Sequence, residues 1–124
     1  MGLRPVPGVT ITCRAEGGYT VAALTGKLDL AAAPALRERL RRLLRPAASR
    51  LVIDLSGISD ADVSGLTVLV GTGHRARLLG GFLRLAAPTP AVTEALQATG
   101  LSRHFDLYPT VMAAMSGSAL APSS

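Results

Sequence analysis

Leu51-Val52-Ile53-Asp54-Leu55-Ser56-Gly57-Ile58-Ser59-Asp60-Ala61-Asp62-Val63-Ser64-Gly65-Leu66 is the stretch on which the fold turns. Its apolar opening is too continuous to have a wet face, so Arg50 to Leu55 suits a central parallel strand covered by helices. Ser56-Gly57 predicts a turn, and Asp60 and Asp62 predict a polar loop. From Val63 the apolar residues recur at helical spacing. Asp62 then stands where a carboxylate accepts the free N–H groups of a first turn and complements the helix dipole. Strand, loop and helix N-terminus in that order is how open α/β sheets build functional surfaces.

Upstream, Val9, Ile11 and Cys13 alternate with Thr10, Thr12 and Arg14, the pattern of a half-buried strand with Cys13 as inert core. Glu16-Gly17-Gly18 supplies a turn into a second strand, Tyr19 to Leu24, which makes a hairpin. Thr25-Gly26-Lys27 interrupts that strand. Pro34 stands at the first position of a helix whose face is Leu36, Leu40, Leu43 and Leu44, with Arg37, Glu38, Arg41 and Arg45 outside and Pro46 as its stop. Downstream, Val63 to Leu79 reads as a second helix ended by Gly80-Gly81. Phe82 to Ala86 is the next strand. Thr89 caps a third helix with Val92, Ala95, Leu96 and Thr99 inward and Gly100 at its end. Phe105 to Leu107 is a last short strand and Thr110 to Met115 a last short helix. The expectation is one α/β domain over residues 8–115, a mixed β-sheet opened by a hairpin and packed with about four helices, with flexible ends at 1–7 and 116–124.

The chain has 124 residues, 48% hydrophobic and 17% charged, which suits a globular core rather than disorder. Aromatics are 3% with no Trp, too few for stacking single-stranded nucleic acid. The net charge of +5 comes from twelve Arg and one Lys, spread over solvated helix faces, so no direct nucleic-acid partner is expected. One cysteine forms no intrachain disulfide. No signal peptide is visible and no apolar run reaches about 18 residues, so a cytoplasmic protein with no membrane partner is expected.

On a helical wheel at about 100° per residue, Leu66, Leu69, Val70 and Gly73 face the sheet. Ser64, Thr67, Val68, Gly71 and Arg75 face outward, with Leu78 nearby. That outer stripe is small and weakly apolar with one charge, which suits contact with another protein. Catalytic chemistry is not expected. Asp54, Asp60 and Asp62 lack the lysine of a phosphoryl-acceptor pocket, and no GxxxxGK[ST] or GxGxxG cradles a phosphate. His74 and His104 have no partners at zinc spacing, and Ser64 lacks the GxSxG elbow. Neither a catalytic residue, a metal nor a cofactor is therefore assigned.

The run Asp54 to Leu66 resembles the signature of STAS domains, specifically bacterial anti-sigma factor antagonists. The likeness continues in Gly26-Lys27-Leu28-Asp29, Ala33-Pro34-Ala35-Leu36, Leu79-Gly80-Gly81-Phe82-Leu83-Arg84-Leu85 and Pro88-Thr89-Pro90-Ala91-Val92. The resemblance implies a non-enzymatic binding module that binds an anti-sigma factor, often a serine kinase of the GHKL type, and so releases a sigma factor to regulate transcription. It points to Asp60, Asp62, Val63 and Ser64, with Thr67, Val68, Gly71 and Arg75, as the partner-binding face. In the family the phospho-acceptor directly follows the motif aspartate. Here that residue is Val63, and Ala61 stands where a larger hydrophobic is usual. Three outcomes stay open: Ser64 is phosphorylated instead, the antagonist is constitutive, or control acts elsewhere. A small-ligand or nucleotide sensor and a scaffold subunit of a larger assembly are the competing classes, and a homodimer is left open.

Overall fold

A computed structural model describes residues 8–117. The expectations for residues 1–7 and 118–124 lie outside the described residues. Five strands form one sheet in the order β1(Val9–Glu16)-β2(Tyr19–Leu28)-β3(Arg50–Ala61)-β4(Phe82–Ala86)-β5(Leu107–Tyr108). The opening pair is antiparallel and the other three pairs are parallel, the mixed sheet expected of a hairpin followed by strand–helix alternation. The helices are α1(Ala33–Leu43), α2(Val63–Leu78), α3(Pro90–Thr99) and α4(Val111–Ser116), with a 3-10 turn at Leu101–His104.

Strand order equals chain order, so each parallel crossover steps the same way. Crossovers of one hand then place α1, α2 and α3 on one face. Their buried residues Leu36, Leu40, Leu66, Leu69, Val92 and Leu96 share a core with Ala22, Leu24, Leu51, Ile53, Leu55 and Leu85 of the sheet. The other face is reached only after β5, where Ala114 of α4 closes a smaller cluster over Val21, Val52, Ala86 and Tyr108. Beside that cluster the sheet is faced by a row of stacked cations and rings. The Arg50 guanidinium lies 4.7 Å from the Tyr19 ring centroid and 5.6 Å from that of Phe82. Arg84 lies 4.0 Å from Phe82 and 5.6 Å from Tyr108, and donates from Nη1 to the Ala114 carbonyl at 2.6 Å.

Several boundaries differ from expectation. The strand expected to stop at Leu55 continues to Ala61. Its ladder with β2 continues through two register shifts: after the first, Thr25 pairs with Gly57 and Gly26 with Ile58; after the second, Lys27 pairs with Asp60 and Leu28 with Ala61. The first shift absorbs one extra residue of β3, so Leu55 and Ile58 are both buried in one core although three residues apart. What reads as a turn in sequence is thus a bulged strand, and β2 likewise runs on to Leu28. Cys13 is exposed rather than core, on the edge strand β1, where only Val9 and Ile11 pack into the core. Desolvation still raises its thiol pKa, the nearby Arg39 charge opposing. Ala33, not Pro34, opens α1. The last strand is Leu107–Tyr108, not Phe105 to Leu107. Ser116 closes α4 instead of starting a tail. Thr89 holds the N-cap position of α3, but its hydroxyl donates across to the Ile58 carbonyl at 2.9 Å and caps nothing.

Candidate functional site

The end of β3 and the start of α2 are fastened to the β2–α1 connection by one side chain. Asp62 is extended (φ −136°, ψ 178°), as an N-cap requires. Its Oδ1 accepts from the Gly65 N–H at 3.0 Å, within the first turn of α2. Its Oδ2 accepts from the Leu30 N–H at 3.0 Å, thirty-two residues away. Its own N–H donates to the Leu28 carbonyl at 3.0 Å. One carboxylate therefore caps the helix and fixes the neighbouring loop, while Asp29 Oδ1 accepts from Ala32 N–H at 3.1 Å and shapes the turn into α1.

Gly65 completes this junction. A Cβ there would overlap the carbonyl carbon and oxygen of Leu28, so the first turn of α2 lies against the β2 backbone and only glycine fits. The same close approach turns Val63 outward at 52% exposure, next to Leu30 at 69%. Both are large apolar side chains left in water at the tip of the site. Ser64 is half-buried and lines a cavity of about 320 Å³ with Leu30, Val63, Arg37 and Thr67.

The other carboxylates do not join Asp62. Asp60 Oδ1 accepts from the next residue's N–H, Ala61, at 3.0 Å, and stays exposed beside Lys27 in the ladder. Asp54 Oδ1 accepts from Ser56 N–H at 3.0 Å. Among the described residues, no three of His, Cys, Asp and Glu converge to hold a metal ion.

Along α2, Thr67, Gly71, Arg75 and Leu78 are exposed as expected, but Val68 is not. It is 2% exposed and belongs to the main core. The buried arc of α2 runs through Gly65, Val68, Thr72 and Ala76 as well as Leu66, Leu69 and Gly73, while Val70 is only half-buried. The arc is displaced because α2 packs on α1 as well as on the sheet, a lateral neighbour that a wheel drawn for one helix omits. Val68 instead forms part of the floor of a furrow between α1 and α2. That cavity, about 420 Å³, is bordered by Arg37 and Arg41 of α1, by Leu44 just past its end, and by Thr67, Gly71, Thr72, His74, Arg75 and Leu78 of α2. It shares Arg37 and Thr67 with the smaller cavity, so the two adjoin along a shallow channel whose lining reaches from Leu30 to Leu78.

The residues missed from sequence are Leu30, Arg37 and Arg41. Leu30 stands in Leu28-Asp29-Leu30, which in the sequence only leads out of the second strand. Only the reach of Asp62 across the fold sets it beside Val63. The two arginines were visible on the polar side of α1, with nothing to say that α2 lies alongside.

The STAS domain family pattern matches residues 10–114. The chain is 27% identical to the Mycobacterium tuberculosis anti-sigma-F factor antagonist RsfB over 111 residues, 88% of each chain. It is 34% identical to the Bacillus subtilis anti-sigma-B factor antagonist over 84 residues, 68% of this chain and 76% of that one. Among solved structures, an anti-sigma factor antagonist from Mycobacterium paratuberculosis superposes with a TM-score of 0.78 at 29% identity, covering 92% of this chain and 97% of that one. With a five-stranded mixed sheet, four helices and the Asp62–Gly65 junction in place, this chain belongs to the STAS domain family.

Proposed function

We propose that this chain is an anti-sigma factor antagonist: it binds an anti-sigma factor through the β3–α2 junction and the exposed side of α2, and so frees a sigma factor. The observation that carries the reading is the Asp62 clamp, which ties together the two segments that carry the exposed apolar side chains Leu30 and Val63 at the tip of the domain. A soluble domain gains nothing for its own core from such residues, whereas an interface buries them. The family and its named antagonist relatives support the same role. The chain acts as a cytoplasmic binding module and not as a catalyst. Among the described residues no helix is long and apolar enough to cross a membrane.

The phospho-switch does not run at its usual place, since Val63 has no hydroxyl to accept a phosphate. We place control either nowhere in this chain, as a constitutive antagonist, or outside this position. Ser64 is the hydroxyl next in sequence, half-buried in a cavity wall that also holds Arg37. Phosphate there would add nearly two negative charges at a helix N-terminus. Incubation with the cognate kinase and ATP followed by intact mass decides this. No mass change fits the constitutive reading; a single phosphate lost in Ser64→Ala contradicts it. For the function itself, the purified chain is titrated onto a preformed complex of sigma and anti-sigma factor. Release of sigma in proportion to added antagonist is expected, and no release overturns the reading.

A further inference from the structure

The channel between α1 and α2 has a chemistry of its own. Its floor is apolar: Val68 is buried there, and the hydroxyls of Thr67 and Thr72 are turned back onto the helix, donating to Val63 O at 2.7 Å and Val68 O at 2.8 Å. Hydroxyls engaged in this way leave methyl groups to meet a partner. Gly71 lies midway and exposed, and a Cβ at that position would have nothing within 4 Å, so the channel is open there. The rim is cationic. Arg37 and Arg41 stand on one bank and Arg75 on the other, and no carboxylate lines either cavity. Among the described residues the ion pairs are Arg14–Glu16 and Glu38–Arg42, so neither bank is neutralised from within the fold. Leu78, 84% exposed, ends the channel as Leu30 begins it.

We propose that this channel seats an acidic amphipathic helix of the partner protein, with apolar side chains over Val68 and Gly71 and carboxylates on Arg37, Arg41 and Arg75. The proposal deepens the functional reading above and rests on it. A helix is the occupant because both banks are themselves helices, whose backbone N–H and C=O groups are already used internally. They offer no edge for an extended peptide to pair with, so the guest must satisfy its own backbone. The span from Val63 to Leu78 is about 22 Å at 1.5 Å per residue, the length of about four helical turns. Carboxylate–guanidinium pairing supplies orientation and speeds encounter, while the apolar floor supplies the buried area.

The test uses the full chain and the anti-sigma factors of the same genome, each purified singly, with affinity measured by calorimetric titration. Arg41→Glu, Arg75→Glu and Gly71→Gln change exposed positions, and circular dichroism checks that each stays folded. Each is expected to weaken binding at least tenfold, and added salt is expected to weaken the wild type more than the two Arg variants. A photo-crosslinker at position 71 is expected to label a helical, acid-rich segment of the anti-sigma factor. Wild-type binding with all three variants within twofold of it overturns the channel proposal and leaves the functional reading standing. So does a crosslink to a basic or extended segment. Self-association of the chain that is lost in Gly71→Gln would assign the channel to a second copy and overturn the proposal too. Failure of every anti-sigma factor to bind the wild type overturns the functional reading, and this proposal with it.

Discussion

Replacing Asp62 removes the fastener of the whole site. In Asp62→Ala the Gly65 N–H loses its cap and the Leu30 N–H loses its acceptor. Loss of an N-cap costs about 1 kcal/mol. The bond to Leu30 lies at the surface, where water replaces part of it, so its loss adds roughly 1 kcal/mol. The sum, about 2 kcal/mol, corresponds to a fall in Tm of roughly 8 °C for a domain of this size. Asp62→Asn keeps one acceptor oxygen but sets an NH₂ group against the other N–H. It should therefore lose about half as much. Urea unfolding of the wild type and both variants reads these differences, with an unchanged m-value showing that the folded state stays compact. Beyond stability, the β2–α1 connection should loosen, seen as faster amide exchange at Leu30 and its neighbours while α3 is unaffected. A loss under about 0.5 kcal/mol in Asp62→Ala, or unchanged exchange at Leu30, would refute the claim that this carboxylate joins the two segments.

Gly65→Ala should destabilise the fold by about 2–3 kcal/mol despite its better helix propensity, because the added Cβ meets the Leu28 carbonyl and backbone cannot yield as a side chain can; an unchanged urea midpoint would count against that close approach. Arg84→Met keeps the stem but loses the bond to Ala114 and the stacking on Phe82 and Tyr108, so a loss of about 2 kcal/mol is expected, with α4 the first segment to lose exchange protection. The raised pKa of Cys13 shifts its thiolate to higher pH than in the unfolded chain, so iodoacetamide alkylation of the native protein should reach half its maximal rate at a higher pH than for the urea-unfolded protein; a midpoint equal to or below the unfolded one would contradict the desolvation.

Much of this architecture was legible because local signals agreed with one another. Phe82 to Ala86 has glycines before it and a proline after it, and the strand has those bounds. Asp62 as the cap of α2 followed from a carboxylate placed just before an apolar periodic run. The errors share one origin, which is that neighbours supplied by the fold cannot be seen in a segment. Leu55 and Ile58 break the alternation of a strand, and only the ladder with β2 shows that a register shift absorbs the extra residue. Val68 points away from the sheet on a lone wheel, yet α1 lies beside it. Cys13 keeps the alternation of Val9 and Ile11, but it stands on an edge strand and stays exposed. The site was half legible for the same reason. The residues of the signature stretch could be singled out from their pattern, whereas Leu30 stands beside them only through the β2–α1 junction, and Arg37 and Arg41 only because α1 lies along α2. The stacked row of Arg50 and Arg84 with Tyr19, Phe82 and Tyr108 was not foreseen, since its members come from four different strands.

The most direct test of the account is competition for an anti-sigma factor. A fluorescently labelled sigma factor bound to its anti-sigma factor is titrated with this chain, and release is followed by anisotropy. The account predicts that anisotropy falls to the free-sigma value as antagonist is added. It also predicts that a folded variant with both tip residues made polar, Leu30→Ser with Val63→Ser, releases far less at equal concentration. Undiminished anisotropy with the wild type, or equal release by that variant, would contradict it.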